Sequence, residues 1–110
     1  MIDPAIKRGS AELAVLSVLA AEPLHGYELA QRIERQTSGL LRFTLASLYP
    51  MLYRLERQGS LSSEWRTAPS GRQRRYYKVT AAGRRKLAPL RQQWLRYFQA
   101  LRQLPGLRNA

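Results

Sequence analysis

The sequence predicts an α+β fold that is mostly α, with three helices, a two-stranded β-hairpin and a long last helix. Apolar residues at helical spacing recur in three stretches before residue 60, and two short runs rich in aromatic residues then flank a turn. A three-and-four apolar repeat follows to residue 104. Because 110 residues bury only a small core, we also expect a dimer, with residues 1–80 as the first domain and 81–110 as a C-terminal dimerisation helix with a short tail.

The first two helices are predicted from caps and apolar spacing. Ser10 is a suitable N-cap for a helix that ends near Ala21, before a proline. This helix is apolar on nearly every side, so we expect Leu13 and Leu16 to contact a second copy of the chain. The next helix is predicted at 26–37, with His25 as a cap or turn residue.

The third helix is predicted to start after Thr44 as N-cap and to end at Gly59. Pro50 lies in its second turn, where a proline removes one backbone donor and presses on Ala46 and Ser47. Both neighbours are small, which relieves the crowding. A helix with so slim an N-terminal end is suited to approach the groove of DNA.

The hairpin and last helix complete the predicted order. Strands at 61–65 and 74–79 flank the turn sequence RTAPSGRQ, and alternation places Arg75, Tyr77 and Val79 on the inner face. Thr80 is predicted to cap a helix that reaches about residue 103, with a kink at Pro89. Its apolar repeat consists of Leu87, Leu90, Trp94, Tyr97, Leu101 and Leu104, widened by Phe98.

The composition argues against several classes of protein. The chain has no cysteine, one histidine and one aspartate, so we predict no enzyme, no metal site and no cofactor. No apolar run approaches the length of a membrane span. We therefore expect a soluble, cytoplasmic protein.

The positive charge is confined to one part of the sequence. Residues 1–64 carry seven basic and seven acidic residues, whereas residues 65–110 carry twelve basic residues and no acid. Such a block indicates a polyanionic partner, and three helices followed by a basic hairpin is the order of a winged helix-turn-helix. The predicted DNA-binding residues are Thr44, Ala46, Ser47, Tyr49, Arg54 and Arg57 on the third helix and Arg72, Arg74, Arg75 and Lys78 on the hairpin.

Two other hypotheses remain open at this point. One is a basic protein that coats RNA or DNA without sequence preference, and the other is a module that docks on a membrane surface or partner through its last helix. Competition between different DNA sequences distinguishes the first, and flotation with liposomes tests the second.

Three ordered motifs resemble the PadR family of bacterial transcription regulators. They are PLHGYELAQRIE at 23–34, SLYPMLYRLERQG at 47–59 and GRQRRYYKVTAAGRRKL at 71–87. The short tail after a single C-terminal helix is similar to the smaller subgroup. Departures from the family pattern at Leu45, Ala46, Ser60 and Pro89 bear on the operator sequence and the dimer geometry.

The resemblance implies a homodimeric repressor that binds an inverted-repeat operator in double-stranded DNA and is relieved by a small molecule. In some members an aromatic effector lies between the subunits against a tryptophan placed as Trp94 is, and Arg91 is suited to pair with a carboxylate of such a ligand. The predicted interface and effector residues are Leu13, Leu16, Leu87, Leu90, Arg91, Trp94, Tyr97, Phe98 and Leu101.

Overall fold

The structure, a computed structural model, describes the backbone of residues 4–108 and the side chains of residues 10–108. Its elements are α1 (Pro4–Ala21), β1 (Leu24–His25), α2 (Gly26–Gln36), α3 (Leu45–Arg57), β2 (Leu61–Thr67), β3 (Gln73–Val79) and α4 (Ala81–Arg102). This order confirms the mostly helical α+β class and the winged helix-turn-helix with one long C-terminal helix. Residues 1–3 of the first predicted domain and residues 109–110 of the second lie outside the described residues.

Side-chain caps explain where three of the helices begin. His25, Thr44 and Thr80 each accept a hydrogen bond from the backbone N–H three residues later, at 3.3, 3.1 and 3.0 Å. These contacts confirm the three predicted caps. The predicted cap at Ser10 is wrong, because α1 starts at Pro4 and Ser10 lies inside it. A proline has the fixed φ that suits a first helical position, so the helix begins earlier than Ser10.

The hairpin strands are longer than predicted and belong to a three-stranded antiparallel sheet in the order β1-β3-β2. The two-residue strand β1 was not predicted; it pairs Leu24 with Tyr77 of β3. The hairpin turn is closed by the Ala68 N–H, which donates to the Arg72 carbonyl at 2.8 Å. Gly71 in this turn has a φ of +89°, which favours glycine.

The core lies between α1, the inner sides of α2 and α3, and one face of the sheet. Tyr77 and Val79 are buried there, which confirms the predicted inner face of the hairpin. The fully or almost fully buried set also includes Leu16 and Leu87. Both were predicted at a dimer interface, and this expectation is wrong because their own protomer already covers them.

Both internal prolines lie at exposed positions of continuous helices. α3 runs through Pro50 and α4 through Pro89. Each ring therefore faces solvent, and the missing N–H does not disturb the core.

Candidate nucleic-acid interface

One side of α3 is exposed along its whole length. We call this the α3 face, and it consists of Ala46, Ser47, Pro50, Tyr53, Arg54 and Arg57. The opposite side of the helix carries Leu48, Leu52 and Leu55, all fully buried. The 3.6-residue periodicity thus anchors α3 on the core and leaves a continuous surface for another molecule.

The N-terminal end of the α3 face is small and polar. Thr44 caps the helix, and the Ser47 hydroxyl donates to the Thr44 carbonyl at 3.0 Å. Thr44, Ala46 and Ser47 are all exposed. A helix N-terminus carries partial positive charge, so this end is suited to approach a phosphodiester backbone or groove edge.

Two tyrosines line the side of α3. The rings of Tyr49 and Tyr53 stack with centroids 5.9 Å apart and an interplanar angle of 25°. Tyr49 is half-buried, whereas Tyr53 is 47% exposed. The sequence prediction omitted Tyr53, although its position three residues after Pro50 and four after Tyr49 places it beside both on a helix.

The predicted cations of the hairpin do not share one surface. Arg72 lies in the turn, Arg74 and Lys78 lie on the same side of β3 as Tyr76, and Arg75 lies on the other side. Arg66 of β2 covers the Tyr76 ring, with its guanidinium carbon 5.2 Å from the centroid.

Arg75 is bound to α3. Its Nη2 lies 3.2 Å from both carboxylate oxygens of Glu56, and these hydrogen bonds raise the pKa of Arg75 above its ordinary value. Beneath it Tyr77 is fully buried, and burial raises the pKa of the Tyr77 hydroxyl to about 12. Within the described part of the chain, this hydroxyl has no hydrogen-bond partner.

The pairing of charges leaves a specific set of cations available. Every carboxylate whose side chain the structure describes is in an ion pair with arginine or lysine: Glu12, Glu22, Glu28, Glu34, Glu56 and Glu64. Among the described residues, five of the six cations predicted to bind DNA have no carboxylate partner: Arg54, Arg57, Arg72, Arg74 and Lys78. No ion pair within the described part of the chain therefore neutralises their charge.

His25 lies beside this basic surface. Its Nδ1 accepts the Glu28 N–H, and its ring meets the Tyr76 ring edge-on at 5.2 Å. Burial, and next the nearby Arg74 cation, lower the pKa of the His25 imidazole, while Glu28 opposes the shift. The neutral form, which the cap requires, is thus favoured.

An apolar groove of about 490 Å³ lies between α1, the end of α2 and α4. Its apolar lining consists of Leu13, Ala14, Val18, Ile33, Leu40, Leu41, Trp94 and Phe98. The Trp94 ring contacts Tyr97 and Phe98 at centroid distances of 6.1 and 5.7 Å. Arg91 donates from Nε to the Ser17 hydroxyl at 3.4 Å at the edge of the same groove.

Metal-binding clusters and membrane-spanning helices are both absent from the described residues. No three side chains of the types that bind metals come together there. No helix in the described ranges combines the length and the hydrophobicity that crossing a bilayer demands.

Comparison with known proteins identifies the family. The model of the transcriptional regulator PadR-like family matches residues 15–89. The chain is 40% identical over 78 residues to the transcriptional regulator Rv3488 of Mycobacterium tuberculosis, covering 71% of this chain and 69% of that protein. It is 33% identical to the crystal structure of a PadR family transcriptional regulator from Eggerthella lenta, with a TM-score of 0.77 over 93% of this chain and 87% of the other.

A transcriptional regulator from Clostridium thermocellum shares the fold at 24% identity, with a TM-score of 0.83 over 96% of this chain and the whole of the other. The matched residues 15–89 contain α2, α3 and the hairpin, and they include every predicted DNA-binding residue. Members of the matched family are transcriptional regulators and not enzymes. The chain therefore belongs to the PadR-like family of DNA-binding transcriptional regulators.

Proposed function

We propose that this regulator is a homodimeric repressor that binds an inverted-repeat operator and releases it when a small aromatic molecule binds between the subunits. The DNA-binding part of the proposal depends on one observation. The described glutamates are paired within the protomer, while Arg54 and Arg57 of the α3 face and Arg72, Arg74 and Lys78 of the hairpin have no carboxylate partner among the described residues. A surface of this kind binds phosphates and releases condensed counterions.

In the proposed complex the α3 face enters the major groove. Ala46 and Ser47 approach the base edges, and Arg54 and Arg57 lie farther along the groove. The hairpin acts as the wing, with Arg72, Arg74 and Lys78 near the phosphate backbone. Two-fold symmetry sets the two recognition helices about 34 Å apart, which requires an inverted repeat.

The apolar surface formed by α4 and the groove beside it supports a dimer. Tyr97 and Phe98 of α4 are 56% and 46% exposed, and the groove beside them is apolar. A second copy of α4, with Leu90 and Leu101, covers this surface in the proposed dimer, so residues 81–110 act as the dimerisation element and residues 1–80 as the DNA-binding domain. Buried apolar contacts of this kind are typical of obligate homodimers.

The proposed effector site lies where the groove meets Trp94. Stacked aromatic rings contribute about 0.5–1.5 kcal/mol beyond burial, and a flat ligand in the groove is proposed to stack on the sides of Trp94 and Phe98 that line it. Arg91 at the groove edge is suited to bind a carboxylate on such a ligand. Binding weakens the operator complex if it favours a dimer with a different spacing of α3 helices.

The test of DNA recognition is selection from a library of randomised DNA duplexes, followed by titration of the enriched duplex and a scrambled one. We expect an inverted repeat and a large preference for it. Ser47→Arg is expected to remove that preference and keep general binding, because a long side chain crowds the groove end of α3. Equal binding of all duplexes would instead establish a basic protein without sequence preference, which its net charge of +12 also allows.

The test of assembly and sensing uses the same protein. Phe98→Glu is expected to give a monomer in sedimentation equilibrium, whereas Gln92→Glu, which adds the same charge at another exposed position of α4, leaves the dimer intact. With Trp65 replaced by Phe, the emission of Trp94 is expected to change on titration with planar phenolic acids, together with operator affinity. Unchanged emission and affinity would leave a constitutive DNA-binding dimer. The proposed site of action is the bacterial cytoplasm, where the operator lies.

A further inference from the structure

Three side chains from three elements form a closed network between the recognition helix and the wing. Glu56 of α3 accepts two hydrogen bonds from Arg75 Nη2 of β3, each at 3.2 Å. Arg75 Nε donates to the Ser63 hydroxyl of β2 at 2.8 Å, and that hydroxyl donates to Glu56 Oε2. We call Glu56, Ser63 and Arg75 the clasp. Each member uses its hydrogen-bonding groups on the other two.

The clasp occupies the point at which the hairpin leaves the core. On its inner side Tyr77 is fully buried, and the Arg75 guanidinium carbon lies 6.0 Å from the Tyr77 ring centroid. On its outer side Trp65, the register partner of Arg75, is 65% exposed. The clasp alone joins the hairpin strands to α3 through side-chain hydrogen bonds and ion pairs, within residues 10–108.

We propose that the clasp is a positioning device that fixes the angle between the wing and the recognition helix, and that Arg75 acts on DNA through this geometry and not by binding a phosphate. The proposal rests on the DNA-binding function proposed above. An exposed ion pair contributes little to stability, and both partners here keep part of their surface in water. Orientation of two DNA-binding elements, in contrast, needs a contact at this place because no core residue lies farther out on the hairpin strands.

The clasp also neutralises a carboxylate on the DNA-binding helix. Glu56 lies one residue before Arg57 of the α3 face, and an unpaired carboxylate there would repel phosphates. Pairing with Arg75 removes this repulsion while holding the hairpin. One ion pair thus serves both the geometry and the electrostatics of the surface.

The decisive experiment is a double-mutant cycle with Glu56→Gln and Arg75→Gln, measured as affinity for the selected operator at several salt concentrations. We expect each single variant to bind about fivefold to twentyfold more weakly and the double variant to be no weaker than the worse single one, because interacting residues are not additive. The dependence on salt is expected to stay as in the wild type.

A phosphate-binding Arg75 gives the opposite pattern. Glu56→Gln would then tighten binding by freeing the cation, and Arg75→Gln would lower the salt slope by about 0.9 for each phosphate that is no longer neutralised. The proposal would also be overturned if the operator affinity of every variant stayed within twofold of the wild-type affinity. The matched control is Glu64→Gln, which breaks the Glu64–Arg66 pair inside β2 without touching α3 and is expected to change affinity less than twofold.

A measurement without DNA separates the clasp from the proposed function. Trp65 lies on the hairpin beyond the clasp, and with Trp94 replaced by Phe it is the only tryptophan in the chain. In time-resolved fluorescence anisotropy, Glu56→Gln is expected to increase the slow angular motion of Trp65, and Glu64→Gln is not. One outcome is that the wild type lacks any operator preference while Glu56→Gln still increases the slow motion of Trp65. In that case the proposed function fails and the positioning role of the clasp stands. An unchanged motion overturns the clasp.

Discussion

The ring of Tyr49 lies so close to the backbone of Gly26 that a Cβ atom at position 26 would stand 2.9 Å from two ring carbons and from the hydroxyl oxygen. This contact joins the start of α2 to the α3 side that carries Tyr49 and Tyr53. The absence of a side chain at Gly26 therefore makes room for the Tyr49 ring, which stacks on Tyr53 of the α3 face.

Replacing Gly26 with Ala is expected to push the Tyr49 ring outward and weaken operator binding, while stability changes by less than about 1 kcal/mol because alanine favours the helix. Titration with operator and urea unfolding measure the two effects. In a Tyr49→Ala background the same substitution has no ring to displace, so it should raise stability. A loss of stability in that background would show that the ring is not the obstacle.

Gly83 is expected to tolerate alanine far less well. A Cβ there would collide with the Ser60 backbone carbonyl, which already accepts the Thr80 N–H at 3.0 Å, and with Val79. Because backbone atoms cannot move aside as a side chain does, we expect Gly83→Ala to cost about 2–3 kcal/mol of unfolding free energy. Ala82→Ser, at the exposed neighbouring position, is the control in the same denaturation series. An effect as small as that of the control would contradict the packing described here.

Stability is expected to fall as the pH drops below about 6.5, because burial lowers the pKa of His25 in the folded state below the unfolded value. The unfolded chain then binds more protons than the native one. The contribution is complete above the unfolded pKa and is lost as the pH falls towards the folded pKa.

The comparison variant for this pH dependence is His25→Asn, which keeps an N-cap acceptor but does not titrate. Thermal unfolding between about pH 7.5 and 5.5, where carboxylates remain ionised, measures both proteins. The variant should show a flatter profile than the wild type. Parallel profiles of stability against pH would mean that a group other than His25 causes the pH dependence.

Pro50→Ala is expected to stabilise the protein by about 1–3 kcal/mol, because it restores an N–H that can bond to the Ala46 carbonyl and removes the ring from α3. Pro69→Ala in the hairpin turn is the matched control, and there the loss of a proline should reduce stability by up to about 1 kcal/mol. Urea denaturation of both variants measures whether each substitution raises or lowers the free energy of unfolding. A destabilising Pro50→Ala would mean that the exposed ring makes a packing contact.

Operator affinity is expected to fall steeply with salt, with a log–log slope of about −5 if a dimer neutralises about six phosphates. Arg74→Ala combined with Lys78→Ala should flatten the slope by about 0.9 for every phosphate left without a cation, on every DNA sequence alike. Affinity measured across a salt series on operator and scrambled duplexes checks this. A slope near zero for the wild type would remove the electrostatic basis of the proposed function.

Features governed by neighbours in sequence were predictable. Thr44, Thr80 and Gly59 mark helix ends through contacts within a few residues, and alternation placed Tyr77 inside. The strand β1 was not predictable in this way, because it exists only through pairing with residues roughly fifty positions later in the chain.

The contacts of individual site residues depended on the tertiary fold. Arg75 has the same chemistry as Arg74, and only the approach of α3 to the hairpin gives it Glu56 as a partner. Leu16 and Leu87 fit the predicted apolar pattern of an interface, but the packing of α1 and α4 within one protomer buries them. Periodicity identifies the apolar side of a helix and does not say which chain covers it.

The exposed apolar residues of α4 would make the lifetime of this regulator in the cell depend on its concentration. A lone protomer presents Leu95, Tyr97 and Phe98 to solvent, the kind of surface that chaperones and proteases recognise. The proposed dimer would hide part of this surface and stabilise the fold by mass action, so newly made chains would be protected only once enough of them have accumulated. At low rates of synthesis, quality control would then remove the lone protomers, and the proposed repressor would have a threshold of synthesis below which its proposed operator stays free.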